Sequence, residues 1–255
     1  MKSMLFAAGL GTRLRPLTDD RPKAMVEVKG KPLLQWAIEK LIASGSEEII
    51  INVHHFADMI IDFIKKKNNF GVHIEISDER ENILETGGGL KKAKWFFDDG
   101  KPFLVCNVDI LTDLDFNKIY KAHIANDALA TLAVRIRPTS RYLLFNGYME
   151  LIGWQNIKTG EVRWSRKAVP ISTGKRLPMI SPPPPVIQPF AFSGIHVMSP
   201  HIFEHMLEED KFSIIEVYLR AMEKEKILGF KHDGDYWLDV GKPEALAVAA
   251  HNWGG

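Results

Sequence analysis

Arg13, Arg15 and Lys23 crowd around two glycines in the stretch Ala7-Ala8-Gly9-Leu10-Gly11-Thr12-Arg13-Leu14-Arg15-Pro16-Leu17-Thr18, which Pro22-Lys23 follows. Glycines after an apolar run let the backbone approach a ligand closely, and the bare N–H groups of such a turn attract phosphate. The string is not a dinucleotide fingerprint, because Leu14 stands where a third glycine belongs, and it lacks the Gly-Lys-Ser/Thr of a P-loop. A Gly-x-Gly alone marks a surface turn. Three cations beside it, at the carboxyl end of an apolar strand, point to an anion site.

The second constellation is a pair of carboxylates. Asp109 follows the apolar run 103–106 and Asp239 follows Tyr236-Trp237-Leu238, so both are expected at strand ends, on the edge where α/β proteins bind ligands. Magnesium takes one or two carboxylates plus phosphate oxygens and keeps several waters, and two aspartates from distant positions suit it. The bland alternative is that each caps a loop or helix; Asp115-Phe116-Asn117 reads as such a helix start, with Asp113 a second decoy.

A third candidate is Glu85-Thr86-Gly87-Gly88-Gly89 before Leu90-Lys91-Lys92. Three glycines cost backbone entropy, and a flat backbone against a base or sugar ring, leading into a helix, would justify them where a flexible loop would not. Ser193-Gly194 interrupts an apolar strand, which can mark close ligand approach. Trp154, Trp164 and Arg141-Tyr142 could stack a sugar or form a small core of their own. Cys106 reads as a buried strand residue, and His54-His55 as loop residues at a strand end. His201-Ile202-Phe203-Glu204-His205 fits the inverted zinc-peptidase pattern, but it follows Ser199-Pro200 at a helix start and no third ligand is evident.

These residues need a frame, and the chain supplies one in steady alternation. Strands are expected at 4–8, 49–53, 72–76, 103–106 and 129–134. Helices are expected at 33–42, 56–67, 90–97 and 116–125. Continuous β-branched runs such as Ile49-Ile50-Ile51 suit strands covered on both faces, and the alternation implies a doubly wound, mostly parallel, Rossmann-like α/β sheet. After Arg135 the rhythm changes. A hairpin around Asn146-Gly147, a turn at Thr159-Gly160 and an extended Ser/Lys/Pro-rich loop over 165–189 make a β-rich insertion at 135–190. Strand 191–198, helices 200–207 and 214–224, strands 227–231 and 236–240, and a helix from Pro243 complete one domain, 1–255.

Composition narrows the class. Lys plus Arg is 33 against 32 for Asp plus Glu, a net charge of +1, which argues against a nucleic-acid backbone binder. A single cysteine excludes an intrachain disulfide and a multi-cysteine zinc site, and points to a reducing compartment, the cytoplasm. The N-terminal apolar run breaks at Gly9, too early for a signal peptide, and no stretch is long enough for a membrane span.

The string L-x-A-A-G-x-G-T-R-L-R-P-L-T followed by P-K resembles the signature of the sugar-phosphate nucleotidylyltransferases, the nucleotide-sugar pyrophosphorylases. The resemblance continues through Leu84 to Gly89, Asn107-Val108-Asp109, Phe192-Ser193-Gly194 and Trp237 to Gly241, and so spans nearly the whole chain. The Thr-Gly-Gly-Gly form is most similar to the N-acetylmuramate-1-phosphate uridylyltransferase branch. The resemblance implies a nucleotide-diphospho-sugar transferase fold and the joining of a nucleoside triphosphate to a sugar 1-phosphate, with Mg²⁺ as cofactor and pyrophosphate released.

By the same resemblance Ala7, Ala8, Gly9, Gly11, Thr12, Arg13, Glu85, Thr86, Gly87 and Gly88 contact the nucleotide, with Gly88 near the base. Arg13 grips the departing pyrophosphate, Lys23 neutralises the reacting phosphates, and Lys23, Asn107, Ser193 and Gly194 face the sugar phosphate. Asp109 and Asp239 hold the metal. No nucleic acid or membrane partner is implied. Val108 stands where many relatives have a small residue, and the 135–190 insertion departs from the pattern. The chain ends soon after Gly241, so no β-helix domain with acetyltransferase activity is expected. A phosphocholine cytidylyltransferase would share the nucleotide half and is the main alternative; the zinc peptidase is the other.

Overall fold

Met4 and Leu5 are neighbours on one strand, pointing to opposite faces, and both are fully buried, as in a sheet covered on both sides. The computed structural model describes residues 1–166 and 187–254. In chain order its strands begin with β1 (Lys2–Phe6), β2 (Glu27–Val28), β3 (Lys31–Pro32), β4 (Glu48–Val53), β5 (His73–Asp78), β6 (Phe103–Asn107) and β7 (Ile110–Thr112). They continue with β8 (Ala130–Arg135), β9 (Arg141–Phe145), β10 (Leu151–Asn156), β11 (Glu161–Trp164), β12 (Gln188–Met198), β13 (Ile227–Lys231) and β14 (Trp237–Asp239). The α-helices are α1 (Leu33–Ala43), α2 (Ala57–Lys66), α3 (Glu85–Lys92), α4 (Phe116–Asn126), α5 (Ile214–Ala221) and α6 (Pro243–Asn252).

β6-β1-β4-β5 form the parallel core. β12 then runs antiparallel to β6, and it also pairs with β8 and β9, so the insertion strands β9, β10 and β11 extend the same sheet. β13 returns parallel to β8. This is the α/β sheet the alternation implies, with its antiparallel part carried by β12 and the insertion. Met4 and Phe6 face a core that includes Leu90, Phe97, Val217 and Tyr218; Leu5 and Ala7 face one that includes Ile38, Leu41, Ile60 and Ile119. A third cluster, Leu14, Val28, Leu33, Leu111, Val240 and Trp253, joins the first loop to β7, α1 and α6.

Several elements differ from the sequence expectation. The three glycines 87–89 lie inside α3, not in a loop before it. The Asn146-Gly147 connection is longer than a two-residue turn: β9 ends at Phe145 and β10 starts at Leu151. The Asn146 side chain accepts from the N–H groups of Tyr148 and Glu150, and Met149, at φ 61°, supplies the left-handed residue. Residues 200–205 make a 3₁₀ turn in place of an α-helix. β14 pairs only with β7, outside the main sheet. β12 already begins at Gln188, while residues 167–186 of the expected Pro-rich loop, including Pro182–Pro185, lie outside the described residues.

Candidate active site

The loop after β1 is held from below by a buried polar relay. The Ala7 N–H donates to Asn52 Oδ1 at 2.7 Å, and Asn52 Nδ2 donates to Glu79 Oε1 at 2.7 Å. Glu79 Oε2 accepts the Leu84 N–H at 3.3 Å, so one carboxyl ties the glycine-rich loop to the segment entering α3. Burial pushes the Glu79 carboxyl above its ordinary range. Sequence reasoning missed both residues. The available signal was a lone asparagine inside the β-branched run of β4, since a polar side chain buried there must find a partner.

Gly11 has φ 65°, and a Cβ there would stand 3.0 Å from both Lys23 Cβ and Thr18 Cγ2. The loop therefore packs directly on Lys23. Leu14, with 0% exposure, anchors it in the third core cluster, worth roughly 2 kcal/mol for a fully buried leucine. That is the reason for a leucine where a dinucleotide fold has glycine. Arg13 remains exposed on the 3₁₀ turn Thr12–Leu14.

Asp109 and Asp239 meet because of the β7/β14 ribbon. Asp239 is in register with Ile110, and the Val240 N–H donates to the Asp109 carbonyl at 2.9 Å. Lys23, only 8% exposed, forms an ion pair with Asp109 Oδ2. The Asp239 Oδ1 accepts the Gly241 N–H at 2.8 Å. A Cβ built on Gly241 would lie 2.8 Å from Arg13 Nη2, 2.8 Å from Asp239 Oδ1 and 2.9 Å from Lys23 Nζ. Two cations and a carboxylate thus surround one point, and the second carboxylate is bonded to one of those cations.

Burial first, then repulsion from Asp109, pushes the Asp239 carboxyl above its usual range, against the pull of the Gly241 N–H, Lys23 and Arg13. Two crowded carboxylates, with hard oxygen donors and no further protein ligand needed, fit a divalent cation of magnesium type, which shares its shell with phosphate and water. Among the described residues no group of three or more His, Cys, Asp or Glu side chains gathers as a metal cage. His201 is exposed, with Nδ1 against Ser199 Oγ, and His205 lies 3.6 Å from Glu225, so the H-x-x-E-H string forms no such site.

Ala7, Ala8, Gly9, Lys23, Glu85, Thr86, Asn107 and Asp109 line one cleft. Gly87 and Gly88 do not line it. A Cβ at Gly87 would stand 2.3 Å from the Phe212 ring, and one at Gly88 would stand 1.9 Å from the Asp210 carbonyl oxygen, so these glycines exist because the 210–212 segment lies against α3. The Phe212 carbonyl accepts both their N–H groups, at 2.8 and 3.2 Å. Ser193, expected on the sugar side, is fully buried: its hydroxyl bonds His232 Nε2 at 2.7 Å and its carbonyl accepts from Trp237 Nε1 at 2.9 Å. Gly194, at φ 73°, sits in the bulge of β12 with Asn107 Nδ2 2.7 Å from where its Cβ would be. Asp115 caps α4 and Asp113 accepts the Tyr236 N–H, as decoys should. Burial raises the Cys106 thiol to about 12, which leaves it protonated and unsuited to nucleophilic attack.

The profile of the nucleotidyl transferase family matches residues 2–253. An N-acetylmuramate alpha-1-phosphate uridylyltransferase of Caulobacter vibrioides is 34% identical over 251 residues, covering 97% of this chain and 94% of that protein. A protein of the same description from Neisseria meningitidis is 31% identical over 255 residues, 98% of each chain. The crystal structure of HddC from Yersinia pseudotuberculosis complexed with GMP-PN superposes with a TM-score of 0.72 at 25% identity, covering 98% of this chain and 97% of that one. With its glycine loop, its paired carboxylates and this full-length match, the chain belongs to the nucleotidyl transferase family.

Proposed function

We propose that the chain, a sugar-1-phosphate nucleotidyltransferase that makes a nucleotide sugar, works with Mg²⁺ held by Asp109 and Asp239, with Arg13 on the departing pyrophosphate and Lys23 beside the reacting phosphates. The supporting observation is the convergence of Arg13, Lys23 and Asp239 against Gly241, where a Cβ would stand 2.8 to 2.9 Å from all three, with Asp109 bonded to Lys23. The nucleotide runs along Ala7, Ala8, Gly9, Gly11 and Thr12 and reaches Glu85 and Thr86. The acceptor phosphate enters by Lys23, Asn107 and Gly194. Residues 1–255, with the 135–190 insertion, act as one catalytic domain.

An oxygen of the sugar 1-phosphate attacks the α-phosphorus, forming one P–O bond as the bond to the β-phosphate oxygen breaks. No covalent enzyme intermediate is required, because positioning and fixed charge supply most of the catalysis in such transfers. Lys23 is held in place by its ion pair and by Gly11, so its charge meets the developing negative oxygens without reorganisation. Asp109 and Asp239 would hold a divalent cation, which would supply Lewis-acid charge to the phosphate oxygens.

The two full-length relatives support UTP and N-acetylmuramate 1-phosphate as the substrate pair. A pyrophosphate-release screen tests this, pairing the four nucleoside triphosphates with N-acetylmuramate 1-phosphate, mannose 1-phosphate and phosphocholine, with and without EDTA. Release that depends on UTP, the muramate and Mg²⁺ is expected; turnover of phosphocholine with CTP alone would replace the acceptor. Asp109→Asn should reduce kcat by about 10³-fold or more, given what one misplaced charge costs at such a centre, with an unchanged circular dichroism spectrum. Retained activity in that variant would remove Asp109 from the metal role.

A further inference from the structure

Arg137 is a half-buried cation with no counter-ion among the described residues. Its Nη2 donates to the Phe192 carbonyl at 3.0 Å and its Nη1 makes a long contact to the Pro138 carbonyl at 3.4 Å. Its Nε is buried and has no partner among the described residues, so only two of the five N–H groups of a guanidinium are committed. No described carboxylate pairs with it, and the strongest attraction acting on it comes from Asp239. Arg80 and Arg163, by contrast, both form ion pairs.

Aromatic and backbone contacts fix its position. The guanidinium carbon lies 4.6 Å from the centre of the Trp237 ring, and that of Arg135 lies 5.7 Å from the same ring. Trp237 is two residues before Asp239 on β14, and its indole N–H is held by the Ser193 carbonyl. Phe192, which holds Arg137, and Gly194, which touches Asn107, flank that same serine in the β12 bulge. Two like-charged side chains on one indole, next to a carboxylate proposed to bind metal, cost free energy unless an anion arrives between them. A planar fork with free N–H groups matches phosphate oxygens.

We propose that Arg137 binds the 1-phosphate of the acceptor sugar, presenting it beside Asp239, with Trp237 as the platform and Arg135 adding charge behind it. This rests on the nucleotidyl-transfer reading above, in which the anion arriving from the β8 and β12 side is the acceptor and not the triphosphate. The start of the insertion thereby delivers a cation to the face of Trp237, two residues from Asp239.

Steady-state kinetics of Arg137→Gln and Arg137→Lys provide the test, with N-acetylmuramate 1-phosphate and mannose 1-phosphate as acceptors. KM for both acceptors should rise by about 10- to 100-fold in R137Q, the value of a charge-assisted hydrogen bond, while KM for the triphosphate stays within about twofold. R137K should recover part of the loss. Calorimetric titration with the two sugar phosphates and with unphosphorylated N-acetylmuramate is the second arm. R137Q should lose affinity for the phosphates only. Loss for both muramates with mannose 1-phosphate unaffected would assign Arg137 to the sugar carboxylate and overturn the proposal. Unchanged acceptor affinity, or equal losses for triphosphate and acceptor with a lower Tm, would make it a strut and overturn it as well. If the wild type binds the sugar phosphates but releases no pyrophosphate, the transfer reading fails, and the titrations still decide Arg137.

Discussion

Gly9 and Gly11 stand two residues apart and answer to different demands. A Cβ at Gly11 meets Lys23 and Thr18 in a left-handed backbone, whereas nothing lies within 4 Å of a Cβ at Gly9. Gly11 is therefore needed by the fold, whereas packing makes no such demand at Gly9, and the proposed nucleotide contact would make it. Gly9→Ala should leave Tm unchanged within about 1 °C, since a surface change away from packing moves stability little. It should still raise KM for the triphosphate several-fold, because a methyl group occupies the surface that a phosphate approaches. Differential scanning fluorimetry and initial-rate kinetics on the same preparation separate the two. A lower Tm with unchanged KM would assign Gly9 to the fold. Lys23 belongs to the same scale: a lysine 8% exposed and paired with an aspartate is positioned well before any ligand arrives.

At the scale of elements, α3 and the β7/β14 ribbon do the positioning. α3 brings Glu85 and Thr86 to the cleft, and it can approach the 210–212 segment only because positions 87 and 88 carry no side chain. Its contact continues through Thr86, whose Oγ1 accepts the Ile214 N–H at 3.0 Å, so α3 also meets the start of α5. Gly88→Ala places a methyl group 1.9 Å from a backbone oxygen, where no flexible side chain can yield. A loss of about 1–3 kcal/mol is expected, the range for overpacking, together with a raised KM for the triphosphate as Glu85 and Thr86 shift. Urea denaturation and kinetics measure the two; wild-type stability in that variant would mean that α3 can move away freely. The ribbon acts differently. It packs on α1 and α6 and joins no other described strand, and its register sets Asp109 beside Asp239.

At the scale of the molecule, Asp239 from late in the chain meets Arg13 and Lys23 from its beginning, and the interior of the sheet sets how the fold responds to acid. His123 and His196 are almost wholly buried, with 2% and 1% exposure. Burial lowers the first to about 4 and the second to about 3. His123 bonds Thr131 and His196 bonds Tyr218. In the unfolded chain both take up a proton near the ordinary histidine value, while the folded protein refuses it until the lower value is reached. Their contribution to stability is therefore complete above about pH 6.5 and is lost as pH falls from there toward 4 and then 3. At pH 5 the cost is about 2 kcal/mol for each histidine. Tm by calorimetry should drop between pH 7 and pH 5, and His123→Gln should make that drop shallower. An equal drop in the variant would place the acid sensitivity elsewhere. Among the described residues no helix is long and apolar enough to cross a membrane.

Local chemistry was legible in the amino-acid order. The β-branched run of β4 and the apolar run of β6 announced strands, the period of Leu33 to Ile42 announced α1, and the Gly-x-Gly-Thr-Arg and Pro-Lys strings announced the glycine loop and the lysine it packs on, because these features depend on neighbours a few residues apart. The site as a geometric object did not follow from them. Asp109 and Asp239 are 130 residues apart in number, and only the β7/β14 ribbon, outside the main sheet, sets them side by side. Gly87 and Gly88 looked like a loop because composition carries no information about a distant segment packing on them. Asn52, Glu79 and Arg137 attracted no notice, since a lone polar residue acquires meaning only from what is buried around it. Residue types and periodicities are properties of the chain; burial, pairing and the meeting of charges arise from packing, and packing is decided between segments that sequence distance does not relate.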